Sequence, residues 1–272
     1  RIREIMPVTQ EQVVAYVSAI LGVDLRLLPN DKCAVEGHSG PNLMPVELFL
    51  DSQKGEDADI PRVIGHHAVR GGSKTWDDAL SLFLHAKFFP ESEQRTVASV
   101  TQAKNCFRHV KHMLELLHLK DLCVIKNQQG TELTNGSLIT ILAKTADAVS
   151  GSRPHIAYAD EVDEWDEEVL RRFIGMPQSR GGLPARAVFS SSTYYHDGPM
   201  ADMLKRYKTQ HNAKVYVTCL WDAMQSCKEA FGKCKCKTAH RWQADACPIY
   251  EICQAQAEQS HGFIKWHDVI MK

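Results

Sequence analysis

Apolar positions along the chain switch between two periods. Val13, Val14, Val17, Ile20 and Leu21 recur at helical spacing and predict an amphipathic helix over residues 8–21. Residues 22–59 carry Pro29, Gly37, Gly40, Pro41 and Pro45, which predict irregular structure, and the polar run 51–59 predicts an exposed loop. Residues 61–69 then read as a short strand, and Trp76, Leu80 and Phe83 return to helical spacing. A buried strand at 95–100 is followed by a helix with Ala103, Phe107, Val110, Leu114 and Leu117 on one face and Lys104, Arg108, Lys111 and His112 on the other. Short strands at 122–125, 131–133 and 138–142 are separated by Gln129-Gly130 and Asn135-Gly136, the second of which closes a hairpin. Further strands at 155–160 and 187–193 precede a helix at 199–207. Alternating strands and helices of this kind predict an α/β fold, a mostly parallel sheet flanked by helices, with the hairpin as a decoration.

The first strand empties into Arg70-Gly71-Gly72-Ser73-Lys74-Thr75, which opens the next helix. A basic, glycine-bearing turn at a helix start suits a nucleotide phosphate, because free N–H groups and the helix dipole favour an anion. Lys74 supplies a mobile cation, Thr75 a hydroxyl ligand for magnesium, and Arg70 an extra charge. Two positions depart from the pattern G-x-x-x-x-G-K-[ST]: Ala68 stands at the first glycine and Ser73 at the second. About 85 residues on, the strand at 155–160 ends in Asp160-Glu161. There Asp160 is expected to hold magnesium and Glu161 to activate water. The strand at 187–193 ends in hydroxyls, and Ser191, Ser192 and Thr193 are expected beside the terminal phosphate, where they can relay its loss.

Taken in order, Val-Arg-Gly-Gly-Ser-Lys-Thr, Asn135-Gly136-Ser137, Gly151-Ser-Arg-Pro-His-Ile-Ala-Tyr-Ala-Asp-Glu and Ser-Ser-Ser-Thr resemble the large terminase subunit of tailed bacteriophages over residues 60–218. Arg70 matches the arginine that family places four residues before its lysine. The resemblance implies a P-loop ATPase of the additional-strand, RecA-like class that uses ATP and magnesium. Its implied task is to thread double-stranded DNA into a procapsid as a homo-oligomeric ring on the portal protein, with the small terminase subunit as partner. In isolation the expected alternative to the ring is a monomer. Such a protein works in the host cell cytoplasm and is not part of the mature virion. The resemblance also implies a C-terminal nuclease of ribonuclease-H type, which is expected to lie outside this chain. A trans-acting arginine is expected from the loop before Asp160, with Arg153 the candidate and the loop at 178–182 its rival. Two other readings remain: the first motor half of a superfamily-2 helicase, and a non-hydrolysing, metal-braced DNA-binding adaptor.

Charge narrows this little. Lys and Arg number 32 against 33 Asp and Glu, so DNA contact needs a local patch or ring assembly rather than a basic chain. No apolar run is long enough to span a membrane, and a soluble intracellular protein is expected. Cysteine changes the picture more. Six of the nine fall between 219 and 253, among lysines that suit DNA. Cys227, Cys234, Cys236, Cys247 and Cys253 are candidate zinc ligands, with an iron–sulfur cluster as the lesser alternative. The expected organisation is an N-terminal segment over 1–59, the ATPase core over 60–218 and a Cys-rich appendage over 219–272.

Overall fold

The computed structural model describes residues 4–31, 33, 37–116, 122–126, 130–192, 198–207, 209–210, 212–231, 253, 255–258, 260 and 262–270. At its centre is an eight-stranded sheet of β1 (Val63–Ala68), β2 (Glu93–Ala98), β3 (Cys123–Lys126), β4 (Gly130–Leu133), β5 (Leu138–Ala143), β6 (Ile156–Asp160), β7 (Arg186–Ser191) and β8 (Ala213–Thr218). The spatial order is β3-β4-β5-β2-β6-β7-β1-β8. The six strands from β5 to β8 are mutually parallel, and β3 and β4 add an antiparallel edge. Parallel strands send their C-terminal ends to one edge. The residues after β1, β6 and β7 therefore meet there.

Helices cover both faces, and strand alternation divides the core between them. On β6, Ile156 and Tyr158 join the layer of α1 (Gln10–Leu21), α2 (Leu43–Ser52), α3 (Lys74–Phe88) and α4 (Val100–Glu115). Ala157 and Ala159 face the other layer, built on α5 (Ala146–Ser150), α6 (Glu167–Ile174) and α7 (Pro199–Tyr207). All five residues of β6 are buried, as a central strand covered on both sides requires. Local signals set the helix ends. Thr9 caps α1 through its side chain, and Gly22 closes it in the left-handed region at φ 68°.

Three expectations need correction. Residues 22–59 are not all irregular, because 43–52 form α2, with Met44, Val46, Leu48 and Phe49 buried. Pro45 reads as a breaker, yet as the third helical residue its position has no intrahelical N–H bond to lose. Ser52, placed in an exposed loop by its polar neighbours, is buried as the last residue of that helix. The Asn135-Gly136 turn does join β4 to β5 as a hairpin, but β5 also pairs in parallel with β2 and so belongs to the main sheet. The strand β8 was not foreseen at all.

Beyond β8 the chain forms α8 (Leu220–Ala223) and α9 (Cys227–Phe231), and a small cluster of Cys219, Trp221, Met224, Cys227, Cys253, Ala257 and Trp266 buries their inner faces. No helix among the described residues is long and apolar enough to cross a membrane.

Candidate nucleotide site

The loop after β1 delivers Lys74 as the first residue of α3, 6% exposed, and its Nζ donates to Ser192 Oγ at 2.7 Å. Thr75 Oγ1 donates to Asp160 Oδ2 at 3.4 Å, which joins the start of α3 to the end of β6. The Glu161 N–H donates to Asp160 Oδ1 at 2.9 Å, and the Trp165 indole N–H donates to the Asp160 carbonyl at 3.0 Å. Glu161 takes a left-handed backbone at φ 52°, and its buried Oε2 has no hydrogen-bond partner among the described residues. Ser191 Oγ receives the Asp163 N–H at 3.5 Å and donates to the Ser192 carbonyl at 3.1 Å. Six residues singled out in the sequence, Lys74, Thr75, Asp160, Glu161, Ser191 and Ser192, therefore meet at one sheet edge. Arg70 stands exposed on the same loop and pairs with no described side chain. Thr193 lies outside the described residues.

Electrostatics there are dominated by burial. Desolvation, then the neighbouring Glu161 charge, pushes Asp160 up to about 6. Beneath the loop lies a network the sequence did not reveal. Asp77 accepts from Ser73 Oγ at 2.7 Å and from Asn42 Nδ2 at 2.8 Å, and Ser190 Oγ donates to Asp78 at 3.0 Å. His66 Nε2 and Asp77 Oδ2, 3.8 Å apart, have the separation of an ion pair. Burial nevertheless drives His66 down to about 3 and Asp77 up to about 8, so both are uncharged near neutral pH.

Next to Ser73 a cleft of about 470 Å³ opens between Val23, Arg26, Pro41, Trp76 and Phe263. A larger cavity, about 570 Å³, is bounded by Leu28, Pro29, Asn30 and Trp221 and contains no residue of the glycine-bearing loop. Chemistry favours the smaller one, which combines an indole, a guanidinium and direct access to the loop.

No protein-family profile matches the chain, and no characterised relative matches it by sequence. Solved structures do match. The HK97 bacteriophage large terminase superposes with a TM-score of 0.55 and 15% identity, covering 78% of this chain and 44% of its own. The chain has the fold of a phage large terminase. It spans less than half the length of the HK97 protein, and at this identity the likeness speaks for the fold alone. The Thermus phage P74-26 large terminase ATPase domain gives a TM-score of 0.47 at 13% identity, covering 64% of this chain and 81% of its own. The large terminase of another thermophilic bacteriophage, in complex with ADP, gives 0.44 at 12%, covering 64% and 44%.

Within the terminase fold Arg153 does not join the cluster. It precedes β6, so it sits at the sheet edge opposite Asp160, where Nη1 donates to the carbonyls of Ser150 and Ser152 at 3.3 and 3.0 Å. Arg180, in the rival loop, pairs with Glu93 at that same edge. Of the candidate zinc ligands, Cys234, Cys236 and Cys247 lie outside the described residues. Cys227 and Cys253 are buried in one cluster.

Proposed function

We propose that this chain is the ATP-hydrolysing motor domain of a viral DNA-packaging terminase. The observation that carries the reading is the convergence of Lys74, the Thr75–Asp160 pair and the unpartnered Glu161 Oε2 at one sheet edge. These groups fit a magnesium nucleotide. A buried cation meets phosphate, a hydroxyl and a carboxylate 3.4 Å apart suit a hydrated divalent ion, and a spare carboxylate oxygen suits water. Bound magnesium ATP supplies the phosphorus under attack and a metal that offsets charge on its oxygens. The chain does the rest. N–H groups of residues 71 and 73–75, in the loop and at the start of α3, cradle phosphate oxygens, and Lys74 neutralises the β- and γ-phosphates. Glu161 orients the water and takes its proton. Arg70 offsets γ-phosphate charge from the rim. Because Lys74 is held by Ser192, the cation that meets phosphate already touches the strand end that is to relay hydrolysis.

The cleft beside Ser73 is the place for the nucleoside, with Trp76 and Arg26 as its planar partners. Arg153 acts, on this reading, from one subunit of a ring on its neighbour, while Arg180 remains the rival. Double-stranded DNA is the substrate for translocation, the portal and small terminase subunit are partners, and the host cytoplasm is the place of action. A nuclease belongs to the remainder of such a protein. The Cys-rich appendage over 219–272 takes zinc through Cys234, Cys236, Cys247 and Cys253, with Cys227 the spare ligand.

The test is magnesium-dependent ATP turnover at high protein concentration, with and without double-stranded DNA. Lys74→Ala is expected to lose nucleotide affinity and turnover together. Glu161→Ala is expected to keep binding while turnover falls about 100-fold or more. A chain that neither binds nor hydrolyses ATP would overturn the motor reading in favour of the adaptor.

A further inference from the structure

Cys33 and His38 lie in the connection between α1 and α2, and Cys219 and Asp222 lie where β8 turns into α8. Although 186 residues separate the two cysteines, one donor atom from each of the four side chains lies within 4.8 Å of all the others. The two sulfurs are 2.8 Å apart, Cys219 Sγ is 2.8 Å from Asp222 Oδ2, and His38 Nδ1 is 3.1 Å from that oxygen. A sulfur separation of 2.8 Å is longer than the ~2.04 Å of a disulfide. Tetrahedral zinc, with bonds of ~2.0–2.3 Å, sets its ligands roughly 3.3–3.8 Å apart, within the range this group spans.

The donor types also select the ion. Two thiols, an imidazole and a carboxylate suit zinc, whereas calcium and magnesium demand oxygen ligands and an iron–sulfur cluster takes four cysteines or two with two histidines. The carboxylate is already oriented. Asp222 Oδ1 accepts the Asn30 N–H at 2.7 Å and Oδ2 accepts the Cys219 N–H at 3.1 Å, as outer partners of metal ligands do. The Asp222 side chain is fully buried, and no described lysine or arginine pairs with it.

We propose that Cys33, His38, Cys219 and Asp222 form a zinc site that clamps the α1–α2 connection to the end of β8. It shares no ligand with the Cys227, Cys234, Cys236, Cys247 and Cys253 set, and it does not rest on the ATPase reading. The clamped connection carries Pro41, which lines the cleft, and Asn42, which holds Asp77 beneath the loop. A metal there therefore fixes one wall of the cleft beside Ser73 from outside it.

The experiment measures zinc per chain, by elemental analysis and native mass spectrometry, in protein purified under thiol reductant. The unaltered chain is expected to hold one equivalent more than Cys33→Ala/His38→Ala. After cobalt exchange, the visible bands of a tetrahedral thiolate site are expected to weaken in that double variant. His38→Cys is expected to keep the full equivalents and move those bands to longer wavelength, because it exchanges imidazole for thiolate. If the double variant does not fold, His38→Ala against His38→Cys decides by the same two readouts. Equal zinc and an unchanged cobalt spectrum in the variants overturn the proposal. So does a Cys33–Cys219 cross-linked peptide recovered from the reduced, unaltered chain.

Discussion

Asp160 meets two demands that pull in opposite directions. On the proposed function it must be ionised to hold magnesium, but its place at the buried end of β6, beside Glu161, penalises the charge and lifts it from 3.8 to about 6. A carboxyl raised by the fold is stabilising when protonated, so folding stability falls as pH rises from about 4 to about 6 and stays lower above that. The difference corresponds to about 3 kcal/mol. Asp160→Asn keeps one oxygen for the Glu161 N–H, turns an amide N–H toward the Thr75 hydroxyl, which then accepts, and removes the charge. It is expected to melt several degrees higher than the unaltered chain at pH 8, with the gap roughly halved at pH 5 and closing only below about pH 4, where the carboxyl is protonated in the unfolded chain as well. The same substitution is expected to abolish magnesium-dependent turnover. In the unaltered chain turnover is expected to fall about tenfold per pH unit below about 6, as the metal ligand is protonated. Calorimetry of both proteins at the two pH values checks the first expectation, and a pH–rate profile the second.

At the scale of elements, the loop between β1 and α3 shows which departures from the usual phosphate-binding pattern are tolerable. Gly72 donates its N–H to the Val69 carbonyl at 2.8 Å, and a Cβ on Gly72 would lie 2.8 Å from that same oxygen. The obstacle is main chain and cannot rotate away. Gly72→Ala is expected to open the turn and weaken nucleotide binding at least tenfold, as titration with a fluorescent ATP analogue would show. Ser73 differs: it holds φ 66°, a left-handed conformation that costs a non-glycine residue about 1–2 kcal/mol, and its hydroxyl bond to Asp77 at 2.7 Å returns about 1 kcal/mol. Ser73→Gly exchanges one term for the other, so its melting temperature is expected to stay within a few degrees and its binding intact. This contrast also shows what the sequence could disclose. The β1-loop-α3 unit, β6, β7, α7 and the hairpin turn were legible because period and punctuation are local. The helix α2 was hidden by Pro45, whose harmless position in the first turn depends on where the helix starts. Lys74, Thr75, Asp160, Glu161, Ser191 and Ser192 were legible because a parallel sheet brings its strand ends to one edge. Asp77 with Asn42, and the Cys33, His38, Cys219 and Asp222 group, were not. Their contacts span 35 and 186 residues and leave no periodic trace.

For the whole molecule, a short docking strip joins the described part of the segment after β8 to the cleft beside Ser73. The Gly262 N–H donates to the Met224 carbonyl at 2.8 Å, and the Phe263 and Ile264 N–H groups converge on the Ala223 carbonyl at 2.8 and 2.9 Å. Asn30 Nδ2 ties the same region to the N-terminal segment through the Gln256 carbonyl at 2.7 Å and Ser260 Oγ at 3.2 Å. Docking at Gly262 leaves no space: a Cβ there would lie 2.0 Å from the carbonyl carbon and oxygen of Ala223. Gly262→Ala must therefore lift the strip away from α8, and with it Phe263, which lines the cleft across from Trp76 and Ser73. Lys74, Asp160 and Glu161 sit on α3 and at the end of β6, on elements this strip does not support. The variant is accordingly expected to raise the KM for ATP several-fold while kcat stays within about twofold, the signature of lost binding without lost chemistry. Phe263→Ala, which keeps the strip docked, is expected to reproduce the KM change without lowering the melting temperature. A fall in kcat at unchanged KM in Gly262→Ala would mean that the C-terminal segment acts on the sheet-edge groups themselves rather than on the wall of the cleft.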